Sequence, residues 1–266
     1  MSFSITDYAD RRRFCPKAKG VEHVNARRRM CDRPLFIGDW KDAVFINYEV
    51  DAGWLQSVVP FPLDLREGRA YVSLVAFTMS DFWHAKQGRW TRWLLWPFAV
   101  QRFLNVRTYV KVGDEDGIFF LTEFVSSPFS LPLGYLAYGL PYHLAKIEYR
   151  QSSEDEVFSG LVTSPFDSAS LAYQAERVEA ESYRQSEPGS LKEFLLERYV
   201  AFTSFGNSRR KFRIRHKAWL AVDLDLEVID DSLMTRRFPF LEGANTVSAY
   251  HTPGVFDVWM GKPKRV

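Results

Sequence analysis

Residues 105–125 read NVRTYVKVGDEDGIFFLTEFV. Two runs rich in β-branched and aromatic residues, Asn105 to Val112 and Ile118 to Val125, flank an acidic turn bounded by Gly113 and Gly117. Runs of that composition joined by a short glycine-containing turn predict a β-hairpin. A hairpin this apolar needs further strands to cover it, because two strands alone are marginal in water.

The flanking sequence supplies them. Upstream, Ala43 to Val50 reads as a strand and Trp54 to Val59 as a short helix stopped by Pro60 and Pro62, since proline lacks the N–H a helix requires. Tyr71 to Met79 is apolar almost throughout, as in a strand covered on both faces. Downstream, Leu131 to Tyr142 is punctuated by Gly and Pro and is open to a short helix or a loop. Ala145 to Arg150, Val157 to Thr163 and Leu171 to Val178 alternate like a meander of antiparallel strands. Ser190 and Glu193 have the spacing of a capping box, which predicts a helix from Leu191 to about Phe202. Alternation resumes in Lys211 to His216, Ala221 to Ile229 and Ala249 to Met260. The expected class is α+β and β-dominated: an antiparallel sheet curled into a closed β-barrel, with a few peripheral helices.

Composition narrows the function. The 266 residues are 46% hydrophobic, enough for one sizeable core, which we place in a single domain from residue 35 to 266. Residues 1–34 read as a basic N-terminal arm carrying Arg11, Arg12 and Arg13, then Arg27, Arg28 and Arg29; a solvated arm is the simplest account of such charge runs. A net charge of +2 argues against a nucleic-acid partner held on a broad basic face. The polar start lacks the apolar core of a signal peptide, and no apolar run reaches the ~20 residues of a membrane span. Cys15 and Cys31 have no metal-site or disulfide spacing, so a cytoplasmic protein with reduced thiols is expected. The five histidines are scattered, and no motif implies a metal or cofactor.

Polar residues inside apolar strands are the candidate site, because burying them is costly without a partner or ligand. Arg107 offers a bidentate fork for a carboxylate, and a structural ion pair with Glu123 on the next strand is the competing account. His143 follows Gly139-Leu140-Pro141-Tyr142 and is a candidate acid or base, or a satisfied structural residue. Tyr142 is a candidate hydrogen-bond donor to an oxyanion, or a plug. Trp90 to Val100 carries three tryptophans; core packing is the favoured account, with a surface patch or a lid as alternatives.

Asn105-Val106-Arg107-Thr108-Tyr109-Val110, Gly117-Ile118-Phe119-Phe120, Gly139 to Ala145, and Gly189-Ser190-Leu191 with Phe194-Leu195 and Glu197-Arg198-Tyr199 stand in that order over most of the chain. In this they resemble the YqjF-like proteins, a family of unknown function in the acetoacetate decarboxylase-like superfamily. The resemblance implies a closed antiparallel β-barrel around a small-molecule cavity. It also implies that Tyr142 and His143 stand where the decarboxylase has two adjacent lysines. Schiff-base chemistry needs an amine, so acetoacetate decarboxylation is not expected. Lys146 and Lys111 are the nearest displaced lysines. By the same resemblance Ser73 and Asn105 stand near the decarboxylase's acidic cavity positions, and Lys41 near a substrate-gathering arginine.

Three functions stay open. One is an enzyme of lyase or hydratase type on a small oxo- or carboxylic acid, with Tyr142 and His143 moving protons and Arg107, Asn105, Lys41 and Glu123 holding substrate. The second is a non-catalytic barrel for a hydrophobic or acidic metabolite. The third is an interaction protein using the tryptophan segment and the basic arm. A homo-oligomer is compatible with each.

Overall fold

The structure, a computed structural model, describes residues 33–96, 99–178, 182–206 and 208–266. Nearly all of the basic arm, with Cys15 and Cys31, lies outside the described residues. In chain order the elements are β1 (Pro34–Val50), α1 (Ala52–Val58), β2 (Ala70–His84), α2 (Thr91–Leu94), β3 (Val100–Val112), β4 (Glu115–Val125), α3 (Ser130–Tyr138), β5 (Tyr142–Leu144), β6 (Lys146–Arg150), β7 (Val157–Thr163) and β8 (Ser170–Arg177). They continue with α4 (Leu191–Leu196), β9 (Val200–Phe205), β10 (Ser208–Arg215), β11 (Val222–Asp230), α5 (Ser232–Arg237), β12 (Asn245–Gly261) and β13 (Lys264–Arg265).

The strands pair in the order β13-β10-β9-β4-β3-β2-β1-β12-β11-β8-β7-β6, and β10 also pairs with β12 through Ile214 and Arg215. That pairing turns seven strands back on themselves as a ring. β11, β8, β7 and β6 continue from it as an outer layer. Most pairings are antiparallel, as expected. β4 differs, running parallel to both β5 and β9, because the chain returns to it each time after an excursion through a helix.

Alternation along the ring strands sends side chains into two cores. Val44, Ile46, Leu74, Leu104 and Val106 face outward and pack against Phe158, Val162, Leu171 and Tyr173 of the outer layer. Phe45, Phe77, Phe103, Tyr109, Phe120, Phe212 and Val258 face inward, filling the ring with aromatic rings. At roughly 25 cal/mol per Å² of apolar surface removed from water, these two cores are the main stabilisation of the fold.

Two local expectations fail. The predicted capping box forms, with Ser190 Oγ accepting from Glu193 N at 3.1 Å, yet α4 ends at Leu196 rather than near Phe202. Val200-Ala201-Phe202 instead forms β9 opposite Ile118 and Phe119, and Phe202 is fully buried. Burial of that aromatic outweighs local helix preference. The tryptophan segment is not core either: Trp90, Trp93 and Trp96 are exposed, Trp93 to 84%. Among the described residues of that stretch, Leu95 packs on the ring core.

Candidate functional site

The register of four strands assembles the site. Val75 of β2 stands opposite Asn105 of β3, Asn105 opposite Glu123 of β4, and Glu123 opposite Tyr142 of β5. Directly opposed residues in a sheet share a face, so Asn105, Glu123 and Tyr142 form one row inside the ring. Gln101, Phe103 and Asn105 share that face by the two-residue period of β3.

Gln101, Phe103, Asn105, Glu123 and Tyr142 line a pocket of about 80 Å³ together with Trp40, Phe77, Met79, Phe120 and Phe212. One wall is α3, through Ser130, Leu133, Gly134 and Tyr138. Gly134 is required there: a side chain at this position would drive into the ring of Tyr142. Gly139 ends α3 at φ +69°, donating to the carbonyls of Gly134 and Tyr135, and so turns the chain into β5.

The pocket's polar groups are buried and only partly satisfied. Asn105 Nδ2 donates to Glu123 Oε1 at 3.3 Å, and Ser130 Oγ donates to Gln101 Oε1 at 2.5 Å. Glu123 Oε2, Asn105 Oδ1 and Gln101 Nε2 are buried without a hydrogen-bond partner among the described residues. Burial pushes the Glu123 carboxyl up to about 8, although the Asn105 hydrogen bond and the charge of Arg107 act the other way. Glu123, only 3% exposed, is therefore mostly protonated at neutral pH. Burial likewise raises the Tyr142 hydroxyl well above its usual range, with Glu123 and Tyr138 adding to the effect. The site offers an acid O–H, an amide N–H pair and an amide carbonyl in an apolar surround.

Arg107 faces the same interior but does not line the pocket. Glu123 stands opposite Asn105, and a register shift between Val106 and Arg107 sets Arg107 opposite Phe120, so no ion pair joins Arg107 to Glu123 among the described residues. Its Nη2 donates to the Leu195 carbonyl at 3.0 Å, and the guanidinium lies 5.3 Å over the Phe45 ring. Tyr109, two residues on, has its hydroxyl 2.5 Å from Ser73 Oγ and 2.9 Å from the same carbonyl; its single proton serves one of them. Ser73 donates to Asn47 Oδ1 at 2.6 Å, and Asn47 Nδ2 donates to Ser248. Arg107, Tyr109, Ser73 and Asn47 thus form a buried polar seam against α4. Desolvation lowers the proton affinity of Arg107, and its Nε is unpartnered.

The remaining candidates lie elsewhere. His143, next to Tyr142 in β5, points to the opposite face, where its ring lies tilted 6.0 Å from that of Phe124 in the outer core and accepts from Arg237 Nη2. Burial, then Arg237, lowers its proton affinity. Lys41 lies 5.8 Å over the exposed Phe256, while its neighbour Trp40 takes the pocket side. Gln101 and Ser130 escaped the sequence reading. The period of β3 marks Gln101, two residues from Phe103 and four from Asn105; nothing in the sequence marks Ser130.

Residues 38–255 match the family DUF2071, described as an uncharacterized conserved protein. The uncharacterized protein YqjF of Bacillus subtilis is 24% identical over 191 residues, covering 71% of this chain and 76% of YqjF. Acetoacetate decarboxylase of Legionella pneumophila superposes with a TM-score of 0.60 at 17% identity, covering 94% of this chain and 92% of that one. The enduracididine biosynthesis enzyme MppR, complexed with the condensation product of pyruvate and imidazole 4-carboxaldehyde, superposes at 0.63 with 11% identity, covering 93% and 98%. At these identities the likeness is one of fold.

Proposed function

The chain belongs to the DUF2071 family, whose YqjF-like members fall within the acetoacetate decarboxylase-like superfamily, and from that premise we propose that the ring of strands is a closed barrel whose pocket binds a small, mainly apolar molecule bearing a carbonyl or carboxylic acid group. The observation that carries this reading is the set of three unpartnered polar atoms, Glu123 Oε2, Asn105 Oδ1 and Gln101 Nε2, around one pocket. Buried polar groups are nearly always paired, so a cluster of orphans around a void suits a ligand. A pocket of 80 Å³ is about half of a ~150 Å³ cavity that takes benzene, which suits a molecule of a few heavy atoms. Protonated Glu123 and Gln101 would donate to the ligand's oxygen, Asn105 Oδ1 would accept from an acid or hydroxyl proton, and Phe77, Phe103 and Phe120 would cover its apolar part. Arg107 would act on the bound group through its field rather than by contact. His143 and Lys41 would stand outside the binding set.

One observation favours a catalytic version. Glu123 gains and loses its proton near pH 8, within reach of neutral conditions, which suits a general acid or base in a lyase- or hydratase-type step. A Schiff base is disfavoured, because the described pocket lining contains no lysine.

A thermal-shift screen against short ketones, carboxylic acids and amides, at about pH 6 and pH 9, tests the binding reading. A ligand at one hundred times its Kd stabilises by about 2.7 kcal/mol. We expect shifts at the lower pH that shrink at the higher one and vanish in Glu123→Ala. Shifts that survive unchanged in Glu123→Ala and Asn105→Ala would sink the assignment of the pocket. Turnover of a bound ligand that is lost in Glu123→Gln while binding persists would establish the catalytic version.

A further inference from the structure

The caps over this end of the ring are apolar on both faces. α3, Ser-Leu-Pro-Leu-Gly-Tyr-Leu-Ala-Tyr, contains no charged residue. Leu131, Leu133 and Ala137 pack inward on the ring core, yet Leu136 on its outer side is 75% exposed and Phe129 just before it 63% exposed. A helix that is apolar all round is normally covered on all sides. Beside it, Ser126 Oγ accepts from Arg102 N, and Ser130 reaches Gln101, so the start of α3 abuts the start of β3. The turn leading into β3 repeats the pattern. Thr91 is buried and Leu95 turns inward, while Trp90, Trp93, Leu94 and Trp96 face solvent, with Val100 exposed beyond them.

Along the chain the charges next to these side chains are mostly basic. From Phe82 through Val106 there is no Asp or Glu, and the stretch carries Lys86, Arg89, Arg92 and Arg102. Asp81, just before it, is already engaged by Arg89 and Arg92, each at 2.7 Å. Tryptophan and leucine set among lysine and arginine, with a net positive charge after Asp81 is counted, is the composition that seats in the headgroup region of a bilayer. A second copy of the chain is a poorer occupant, because a twofold contact would set this patch against itself and bring like charges together.

We propose that the tryptophan-bearing turn before β3 and the outer face of α3 together form a docking surface for a lipid bilayer containing anionic lipid. The surface lies at the α3 wall of the pocket, and the inference is independent of what the pocket holds. No helix among the described residues is long and apolar enough to cross a membrane, so the contact is interfacial. The exposed side chains enter the headgroup region while the arginines meet lipid phosphates and carboxylates.

Flotation of the full chain with vesicles of phosphatidylcholine alone, and of phosphatidylcholine with one quarter phosphatidylserine, tests it. We expect binding to the anionic vesicles that weakens with salt and falls about tenfold or more in a Trp93→Ser/Trp96→Ser variant, with Leu136→Ser lowering it further. Circular dichroism of both variants should match the parent, since these side chains are exposed. Absence of flotation with either vesicle overturns the proposal, as does equal flotation of the parent and the tryptophan variant. A parent that sediments as a dimer, and a tryptophan variant that sediments as a monomer without change in flotation, assigns the surface to a second copy and overturns it too.

Discussion

Two sets of buried polar residues share the interior of one ring of strands, two residues apart on β3, and they are built on opposite principles. The seam of Arg107, Tyr109, Ser73 and Asn47 binds itself and the Leu195 carbonyl, with contacts of 2.5–3.0 Å among those four residues and that carbonyl, and leaves Arg107 Nε as an orphan away from the pocket. The pocket row of Gln101, Asn105 and Glu123 leaves an atom of each residue without a partner and opens on a void. A closed polar network rigidifies a core; an open one beside a cavity is a place for something else to bind. Arg107 looked the better ligand-binding residue in the sequence because it carries charge. The structure gives that charge to the seam and leaves the neutral row exposed to the pocket.

The largest test of this contrast is Arg107→Ala. It removes the hydrogen bond to Leu195 and the stacking on Phe45 and leaves a void, so we expect a loss of about 3 kcal/mol of unfolding free energy in urea. A loss under about 1 kcal/mol would mean that the seam does not hold α4 to the sheet.

Glu123→Gln should move stability the other way. The folded-state proton affinity of Glu123 is raised from 4.5 to about 8, so its contribution is fully present below pH 4.5 and is lost as the pH rises through 8. Glutamine cannot ionise. The variant should match the parent near pH 4.5 and exceed it near pH 9, read from denaturation curves at both pH values. A constant difference across pH would show that Glu123 is ionised throughout and that the row is not the neutral site described.

Gly134→Ala sharpens the pocket side of the comparison. The added methyl meets the Tyr142 ring, and overpacking of this kind costs about 1–3 kcal/mol. The same variant should displace Tyr142 and reduce any ligand-induced thermal shift. Smallest of all is Trp93→Ser, expected to change stability in solution by no more than about 0.5 kcal/mol, because the side chain is exposed. A larger loss would return the tryptophan turn to the core.

Much of the fold was legible because strand signals are local. The 105–125 hairpin, the 145–178 meander and the helix start at Ser190 all follow from turn residues, alternation and capping spacing, and all stand in the structure. The end of α4 was not legible, since the choice between helix and strand at Phe202 rests on what Ile118 and Phe119 offer across space. The site was half legible. Glu123 was marked as a partner for Arg107, Tyr142 by its Gly-Leu-Pro approach and Asn105 by the family resemblance, but their alignment in one row depends on the register of β3, β4 and β5. Tyr142 and His143 looked like a pair, and adjacency in a strand sends them to opposite faces.

The sequence by itself determined the class of fold, the family and the stock of polar residues in the ring strands, because composition, period and motif are properties of neighbours along the chain. Only the tertiary structure decided which of those residues meet around a void, which satisfy one another, and that the tryptophans face outward. Hydrogen bonding and burial depend on register, bulges and chain crossings, and these are settled between segments far apart in sequence.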